Sequence, residues 1–296
     1  MTTPRILHFL TPLANVSPFD VNMAVDAGFV VASYTNISLK EVTALTQDAM
    51  FSRSPADAAK TCLFIGGRDA LQALDMLAAA KKAMFPPFEI SLFADPSGAF
   101  TTAAAMVACV ERQLKAQAAT LAGAEVAVFG AKGVVGGIVG VIAAEAGAHV
   151  VLVAHDKSGV VEAKAAEFER RFGRSFAVAD GSSEAGRRGV LKNAEVVLAC
   201  GRAGLRILSR AEMSAAQRLK VAADINAVAP PGIEGLDVKA KGTKLPGTPG
   251  MGIGALAIGN VKFQLQHALL KRLDEAQKAQ CFDFRDAYRV ALELVH

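Results

Sequence analysis

The feature that most constrains the fold is the stretch 126–157, which reads VAVFGAKGVVGGIVGVIAAEAGAHVVLVAHDK. Val126–Phe129 is a short apolar run with β-branched residues, as in a buried parallel strand. Apolar residues then recur at helical spacing as far as Gly147, and a second apolar run, Val150–Val153, follows. A strand, a glycine-rich loop, a helix, a strand and an acid, Asp156, therefore occur in the order of a dinucleotide-binding βαβ unit.

The glycines of the loop match that motif only in part. They follow the spacing G-x-x-G-x-x-G, and Ala131 stands where the first glycine of G-x-G-x-x-G belongs. Glycines let backbone N–H groups approach a pyrophosphate at the positive end of a helix. The structural alternative is a tight turn that only packs the helix on the sheet. The complete βαβ context favours cofactor binding by the loop residues Gly130, Lys132, Gly133, Val134, Val135 and Gly136.

Composition narrows the class of protein. The chain has 296 residues, of which 52% are hydrophobic, enough for one large or two ordinary α/β domains. The net charge of +4 is spread without a Lys/Arg-rich run, so no nucleic-acid partner is expected. No apolar stretch is long enough for a membrane span or fits a signal sequence, and we expect a cytoplasmic protein. Widely spaced cysteines and histidines predict reduced thiols and no metal site.

Strand and helix patterns alternate along the chain and predict two α/β domains with mainly parallel sheets. The sequence divides into a substrate domain, residues 1–120 completed by 266–296, and a Rossmann-type cofactor domain, residues 121–265. The expected strands are Ile6–Leu10, Phe29–Tyr34, Cys62–Ile65, Glu89–Phe93, Val126–Phe129, Val150–Val153, Phe176–Ala179, Val196–Ala199 and Lys220–Ala223. The expected helices are Pro18–Ala27, Ser38–Met50, Arg68–Met84, a long helix ending near Ala119, Gly254–Lys278 and Asp283–Leu294. The region Pro230–Gly252 is expected to be a loop.

Polar residues follow several strands at their carboxyl ends, where open α/β sheets bind ligands. Asp95 and Thr101–Thr102 either bind a polar substrate or cap the long helix, and capping is favoured for the threonines taken alone. Cys200 and Gly201 follow a later strand, and Gly201 allows close approach of a cofactor. Asp224 and Asn226 either orient a loop or contact a ligand.

A last glycine-rich segment, GMGIGALAIGNVKFQLQH, opens the long helix near the C-terminus. Gly254 and Ala255 start this helix, so a flat ring could lie on their backbone. Lys262 follows two turns later. Close helix packing and a lysine extended along the surface are the structural alternative.

Several of these stretches resemble the NAD(P)-dependent methylenetetrahydromethanopterin dehydrogenases of methylotrophic bacteria. The resemblance covers nearly the whole chain and is carried by SPFDVNMAVDAGF, LTQDAMFSR, FADPSGAFTTAAAMVA, ADINAVAPPGIEGLDV, GIGALAIGNVK and CFDFRDAY. It is closest to the branch that accepts both NAD and NADP. It implies oxidation of methylenetetrahydromethanopterin to the methenyl form in formaldehyde oxidation, and a homo-oligomer, a trimer or a multiple of it.

The resemblance also implies site residues. Phe19, Asp20 and Phe282 match positions that bind the pterin, to which Asp95 and Thr102 are added, and Lys262 matches the polar residue near the reacting carbon. The family's histidine after this lysine is displaced here, where Gln266 stands one turn after Lys262 and His267 receives no role.

Cofactor choice is expected to depend on the residues after the second strand of the βαβ unit. Asp156 can bind a free ribose, whereas His155 and Lys157 can attract a 2′-phosphate. Both cofactors are therefore expected, with NAD used at least comparably. Two other functions stay open, the same oxidation on methylenetetrahydrofolate and a non-catalytic NAD(P)-binding redox sensor.

Overall fold

The computed structural model of the chain describes residues 3–295. Its strands are β1 (Ile6–Leu10), β2 (Val30–Tyr34), β3 (Thr61–Ile65), β4 (Ser91–Ala94), β5 (Glu125–Phe129), β6 (His149–Ala154), β7 (Ala177–Asp180), β8 (Val196–Ala199), β9 (Val221–Asp224), β10 (Lys241–Lys244), β11 (Met251–Ile253) and β12 (Cys281–Phe282). Its α-helices are α1 (Pro18–Asp26), α2 (Val42–Phe51), α3 (Ala70–Ala83), α4 (Ala99–Lys115), α5 (Val134–Glu145), α6 (Val160–Phe172), α7 (Glu184–Asn193), α8 (Arg210–Met213), α9 (Ala255–Glu275) and α10 (Phe284–Val295).

The chain divides into two compact units. Unit 1 comprises Met1–Thr101 and Phe263–Val290, and unit 2 comprises Thr102–Lys262 and Ala291–His296. Each unit contains one sheet, and strands alternate with helices in both. The predicted α/β class is confirmed.

The sheet of unit 1 is parallel throughout, with the strand order β12-β4-β3-β1-β2. Its central strand β3 is buried along its whole length, as expected for a strand covered on both faces. Phe9, Phe64 and Phe93 pack edge to face across neighbouring strands, with ring centroids 4.8 and 5.2 Å apart. The short strand β12 extends this sheet beside β4, so the C-terminal segment Phe263–Val290 completes the unit that the start of the chain begins.

Local signals set the helix starts of unit 1. The Ser17 hydroxyl accepts the backbone N–H of Asp20 and caps α1, with Pro18 in the first turn. Before α2, Glu41 accepts the backbone N–H of Ser38 at 2.8 Å, the contact expected from the capping-box spacing. Asp69 caps α3 by accepting the N–H of Gln72 at 2.9 Å.

The sheet of unit 2 has the order β10-β11-β9-β8-β5-β6-β7, and only β10 runs antiparallel to its neighbour. β5 pairs with β6 on one side and with β8 on the other. The chain therefore proceeds from β5 to one edge of the sheet and then returns to build the other half. In open α/β sheets this reversal opens a crevice at the carboxyl ends of the two strands, and ligands bind there.

Two expectations about boundaries were wrong. Residues 230–252 were expected to lack strands, yet they contain β10 and the start of β11. β10 consists of lysine, glycine and threonine, and β11 has only three residues, so no alternating apolar pattern marks either strand. Backbone pairing to β9 holds β11 in the sheet. Helix α4 ends at Lys115 rather than near Ala119, because Ala118 adopts a positive φ of 55° that a right-handed helix cannot accommodate.

No helix within residues 3–295 combines the length and apolar character that crossing a bilayer requires.

Candidate active site

The phosphate loop, residues 130–136, joins β5 to α5 in unit 2, and its first and last glycines are required by backbone packing. Gly130 has a φ of 86°, and a Cβ there would lie 2.5 Å from the carbonyl oxygen of Cys200 and 2.8 Å from the nitrogen of Gly201. A Cβ at Gly136 would overlap the carbonyl group of Gly130. These glycines therefore fit the loop, the start of α5 and the end of β8 closely together.

The middle of the same loop is open to solvent. Lys132 and Gly133 are exposed, and Gly133 is the N-cap of α5. The N–H groups of Val134 and Val135, in the first turn, have no carbonyl one turn back within the helix and lie at its positive end. Lys164 Nζ donates to the carbonyl oxygen of Lys132 at 2.7 Å and fixes the loop from α6. An exposed helix start on a fixed loop fits a pyrophosphate.

Asp156 lies just past β6, beside the loop. Its Oδ1 accepts the backbone N–H of Ser158 at 3.1 Å and the Ser158 hydroxyl. Its Oδ2 lies 3.3 Å from Lys132 Nζ and 3.1 Å from His155 Nε2. The hydrogen bonds from Ser158, and after them Lys132, lower the pKa of Asp156 to about 2. Asp156 is therefore a carboxylate at neutral pH, placed where a dinucleotide fold binds the adenosine ribose.

Lys157 was grouped with His155 and Asp156 on sequence. In the structure its charge acts on Asp180, at the end of β7, where the Ser182 hydrogen bonds and then Lys157 lower the pKa of that carboxyl. The lysine that contacts Asp156 comes from the phosphate loop, 24 positions earlier in the chain.

The residues after β8 contribute backbone rather than side chains to the crevice. The Cys200 thiol is buried, with its Sγ 3.6 Å from Met106 Sδ. Burial, followed by the nearby Asp224 carboxylate, raises the pKa of this thiol, which is therefore not a nucleophile at neutral pH. A Cβ at Gly201 would collide with Ile207 Cδ1.

Asp224 and Asn226 organise the loop after β9. Asp224 is buried and accepts the backbone N–H groups of Asn226 at 2.9 Å and of Ile233 at 3.0 Å. Asn226 accepts the backbone N–H of Gly204 at 3.1 Å and donates to the carbonyl oxygen of Pro230 at 2.8 Å. Burial raises the pKa of Asp224, and its backbone hydrogen bonds oppose that shift. These contacts favour the interpretation that Asp224 and Asn226 orient the loop over the interpretation that they contact a ligand.

Asp95 in unit 1 occupies a similar position after β4. It is fully buried, and its Oδ1 accepts the backbone N–H groups of Phe100 at 2.9 Å and Thr101 at 3.2 Å. Its Oδ2 accepts the Thr101 hydroxyl at 2.6 Å. These bonds fix the start of α4, so Asp95 positions the strand end and Thr102, the half-buried residue that follows Thr101.

A buried polar pair lies between α1 and α9 in unit 1. Gln266 Nε2 donates to Asp20 Oδ1 at 2.7 Å, and both residues are buried. Phe19, the neighbour of Asp20, is 46% exposed. Half-buried Lys262 precedes Gln266 by one helical turn on α9.

We expect Gln266→Leu to lower the free energy of unfolding by about 1–3 kcal/mol, because Asp20 loses a buried hydrogen-bond donor. Denaturant unfolding of the two proteins measures the difference. Gln264→Leu is the control, since Gln264 is exposed on the same helix. Equal stability of the Gln266 and Gln264 variants would contradict the role assigned to the pair.

The remaining predicted residues fall in two places. Phe282 is half-buried on β12, and its ring centroid lies 6.3 Å from that of Phe93, edge to face. At the start of α9, a Cβ at Gly254 would overlap the backbone of residues 237–238. Close packing thus accounts for Gly254, the structural alternative considered for this segment, and buried Ala255 is the first residue of the helix.

Three contacts in these sites were missed on sequence. Ser158 had a local signal, because an Asp-x-Ser segment commonly forms a side-chain turn. Lys164 and Gln266 had none, since each meets a partner that is distant along the chain. Within residues 3–295, no cluster of three or more His, Cys, Asp or Glu side chains could hold a metal ion.

Comparison with known proteins decides the family. The family model described as methylene-tetrahydromethanopterin dehydrogenase, N-terminal, matches residues 18–97. Over 291 residues the chain is 50% identical to the NAD(P)-dependent methylenetetrahydromethanopterin dehydrogenase of Methylorubrum extorquens, and the match covers 98% of each chain. The chain belongs to this dehydrogenase family.

The chain also resembles one further curated protein and two solved structures at lower sequence identity. The bifunctional protein MdtA of the same organism is 32% identical over 282 residues, 95% of this chain and 96% of its own. Among solved structures, shikimate 5-dehydrogenase from Listeria monocytogenes, in complex with shikimate and NAD, gives a TM-score of 0.52 at 11% identity, covering 97% and 96% of the two chains. Ornithine carbamoyltransferase from Pyrococcus furiosus gives 0.53 at 13% identity, covering 90% and 83%. The two structures show a shared fold.

Proposed function

We propose that this chain oxidises methylenetetrahydromethanopterin to methenyltetrahydromethanopterin, with NAD⁺ or NADP⁺ as the hydride acceptor. The observation that carries this proposal is 50% identity, over 98% of both chains, to an enzyme named for this dehydrogenation. The exposed start of α5 and the carboxylate of Asp156 support it, because the first can bind a pyrophosphate and the second a free adenosine ribose.

We assign cofactor binding to unit 2. The N–H groups at the start of α5 bind the pyrophosphate, and Asp156 binds the ribose that carries adenine. The backbone at Gly201 lines the crevice between β5 and β8, while Asp224 and Asn226 hold the neighbouring loop in place. The nicotinamide ring, when bound, supplies the carbon that accepts the hydride.

We assign pterin binding to unit 1, through Phe19, Asp20 and Phe282. Phe19 offers an exposed ring on which a flat heterocycle can stack. Gln266 fixes the Asp20 carboxyl group through their buried hydrogen bond. Asp95 acts indirectly: it holds the start of α4 in place and thereby positions Thr102.

The reaction needs the substrate and the cofactor to be held in the correct positions, and it needs no catalytic base. Nitrogen lone pairs beside the methylene carbon of the substrate push out the hydride and leave a delocalised cation, so no proton is removed. We assign Lys262 to the orientation of the pterin through its carbonyl or ring nitrogen atoms. Holding the donor and acceptor carbons in contact accounts for much of the rate of such a transfer.

The decisive experiment follows the absorbance of NADH or NADPH with each of two carriers, methylenetetrahydromethanopterin and methylenetetrahydrofolate. We expect turnover with the first carrier and with both cofactors, with NAD at least comparable to NADP. Faster turnover of the folate would assign the chain to the other carrier. Tight cofactor binding without turnover of either carrier would indicate a redox sensor.

We also propose a homo-oligomer, a trimer or a multiple of it. The alanine-rich stretch of α4, Ala103–Ala108, is buried within the single chain and offers no surface for association. Large apolar side chains of unit 1 are exposed instead, among them Val25, Val30, Phe51 and Phe85 at 46–58%. A monomer mass in light scattering at micromolar concentration would contradict the proposal.

A further inference from the structure

The lysine of the phosphate loop meets the carboxylate at the end of the next strand. Lys132 projects from the loop after β5, and its Nζ lies 3.3 Å from Oδ2 of Asp156, after β6. His155 Nε2 approaches the same oxygen at 3.1 Å. Two basic groups from different segments of unit 2 thus converge on one carboxylate oxygen.

Most of the hydrogen-bonding capacity of this carboxylate is used within the protein. A carboxylate offers about four acceptor positions, two on each oxygen. The backbone and hydroxyl of Ser158 take those of Oδ1, Lys132 Nζ donates to Oδ2, and His155 Nε2 lies 3.1 Å from that oxygen. A free ribose that binds Asp156 must therefore compete with Lys132 at Oδ2, whereas a 2′-phosphate can be bound by the basic groups themselves.

We propose that Lys132 sets the balance between NADP and NAD, by binding the 2′-phosphate and by shielding that phosphate from Asp156. This inference rests on the proposed use of a nicotinamide dinucleotide. Asp156 alone repels the phosphate and prefers the ribose of NAD. With Lys132 in contact, the repulsion is offset and the ribose has a competitor, which accounts for acceptance of both cofactors.

The exposure of the pair supports a ligand-binding role. The side chains of Lys132 and Asp156 are 41% and 40% exposed, so a ligand can reach both. An exposed ion pair adds little to stability, and the loop is held by other contacts, from Gly130 and Lys164. Removal of the Lys132 side chain should therefore leave the fold intact and change only recognition.

The test is calorimetric titration of the protein with adenosine 2′,5′-bisphosphate and with AMP, which differ only in the 2′-phosphate. In Lys132→Met we expect the dissociation constant of the bisphosphate to rise by about tenfold or more, the loss of one charged hydrogen bond. The dissociation constant of AMP should stay the same or fall, since Oδ2 becomes available to the ribose. An equal change for both compounds, or no change, overturns the proposal.

Three further variants separate shielding from a general effect of charge. Lys192→Met removes the same charge from an exposed position of α7 and should alter neither constant. Adding Asp156→Asn to Lys132→Met should restore part of the affinity for the bisphosphate, because the unshielded carboxylate is gone. A loss in Lys157→Met as large as that in Lys132→Met would assign the phosphate to the other lysine and overturn the proposal.

These titrations contain no pterin, so they separate the inference from the proposed reaction. Turnover of the pterin without the expected selectivity between the two adenosine compounds overturns only the role of Lys132. If the protein shows the expected selectivity but does not turn over the pterin, the result supports the role of Lys132 and contradicts the proposed reaction. Failure of the wild-type protein to bind either compound overturns the role as well.

Discussion

Gly130→Ala is expected to lower the free energy of unfolding by about 3 kcal/mol or more and to abolish cofactor binding. The added methyl group would meet three backbone atoms of Cys200 and Gly201 within 2.8 Å, on a residue with a φ of 86°. Neither backbone segment can move without separating the ends of β5 and β8. Thermal or denaturant unfolding measures the first effect, and titration with NADH measures the second.

Gly173→Ala is the matched control for this variant. Gly173 also has a positive φ, of 64°, but no atom lies within 4 Å of the position its Cβ would take. Its substitution should lower stability by only about 1 kcal/mol, the cost of the left-handed conformation alone. Similar losses in the two variants would show that the conformation of Gly130, rather than its packing, accounts for the effect.

Lys262→Ala is expected to lower turnover by about tenfold or more, which corresponds to roughly 1.4 kcal/mol of transition-state stabilisation. The lysine lies half-buried on α9, one turn before the residue that holds Asp20. Because we assign it to the pterin, the dissociation constant of NADH should stay unchanged. Steady-state kinetics and fluorescence titration together give both quantities.

The control for that variant is Lys278→Ala, which removes an exposed lysine just after the same helix. It should retain normal turnover and normal thermal stability. A normal rate in Lys262→Ala would reduce this lysine to a surface residue. A parallel loss of NADH affinity would place it at the cofactor instead of the pterin.

The buried strands could be predicted from the sequence because a run of apolar residues directly indicates a strand that is covered on both faces. β3 and β8 are covered on both faces and are apolar except for Thr61, so their positions were found to within one residue. β10 has no such signal, since it is an exposed edge strand of lysine, glycine and threonine that exists because β11 pairs with it. Pairing between segments leaves no local pattern.

The candidate site shows the same division. The position of the phosphate loop, the acid after β6 and the cap of α1 all follow from spacing along the chain. The partner of Asp156 does not, because the sequence groups the adjacent Lys157 with this acid, and only the geometry of two strand ends brings Lys132 to the carboxylate. The amide of Gln266 on Asp20 likewise joins residues 246 positions apart.

The phosphate loop and its neighbours contain two kinds of residue, which differ in how well they tolerate substitution. Gly130 and Gly136 pack against backbone atoms of the loop and of residues 200–201, so a side chain at either position would collide with that backbone. The side chains beside them that we assign to the adenosine ribose are exposed and carry little of the stability. The preference between NAD and NADP can therefore change in evolution through single substitutions at residues 132 and 155–157, while the backbone of the loop that presents these side chains stays the same.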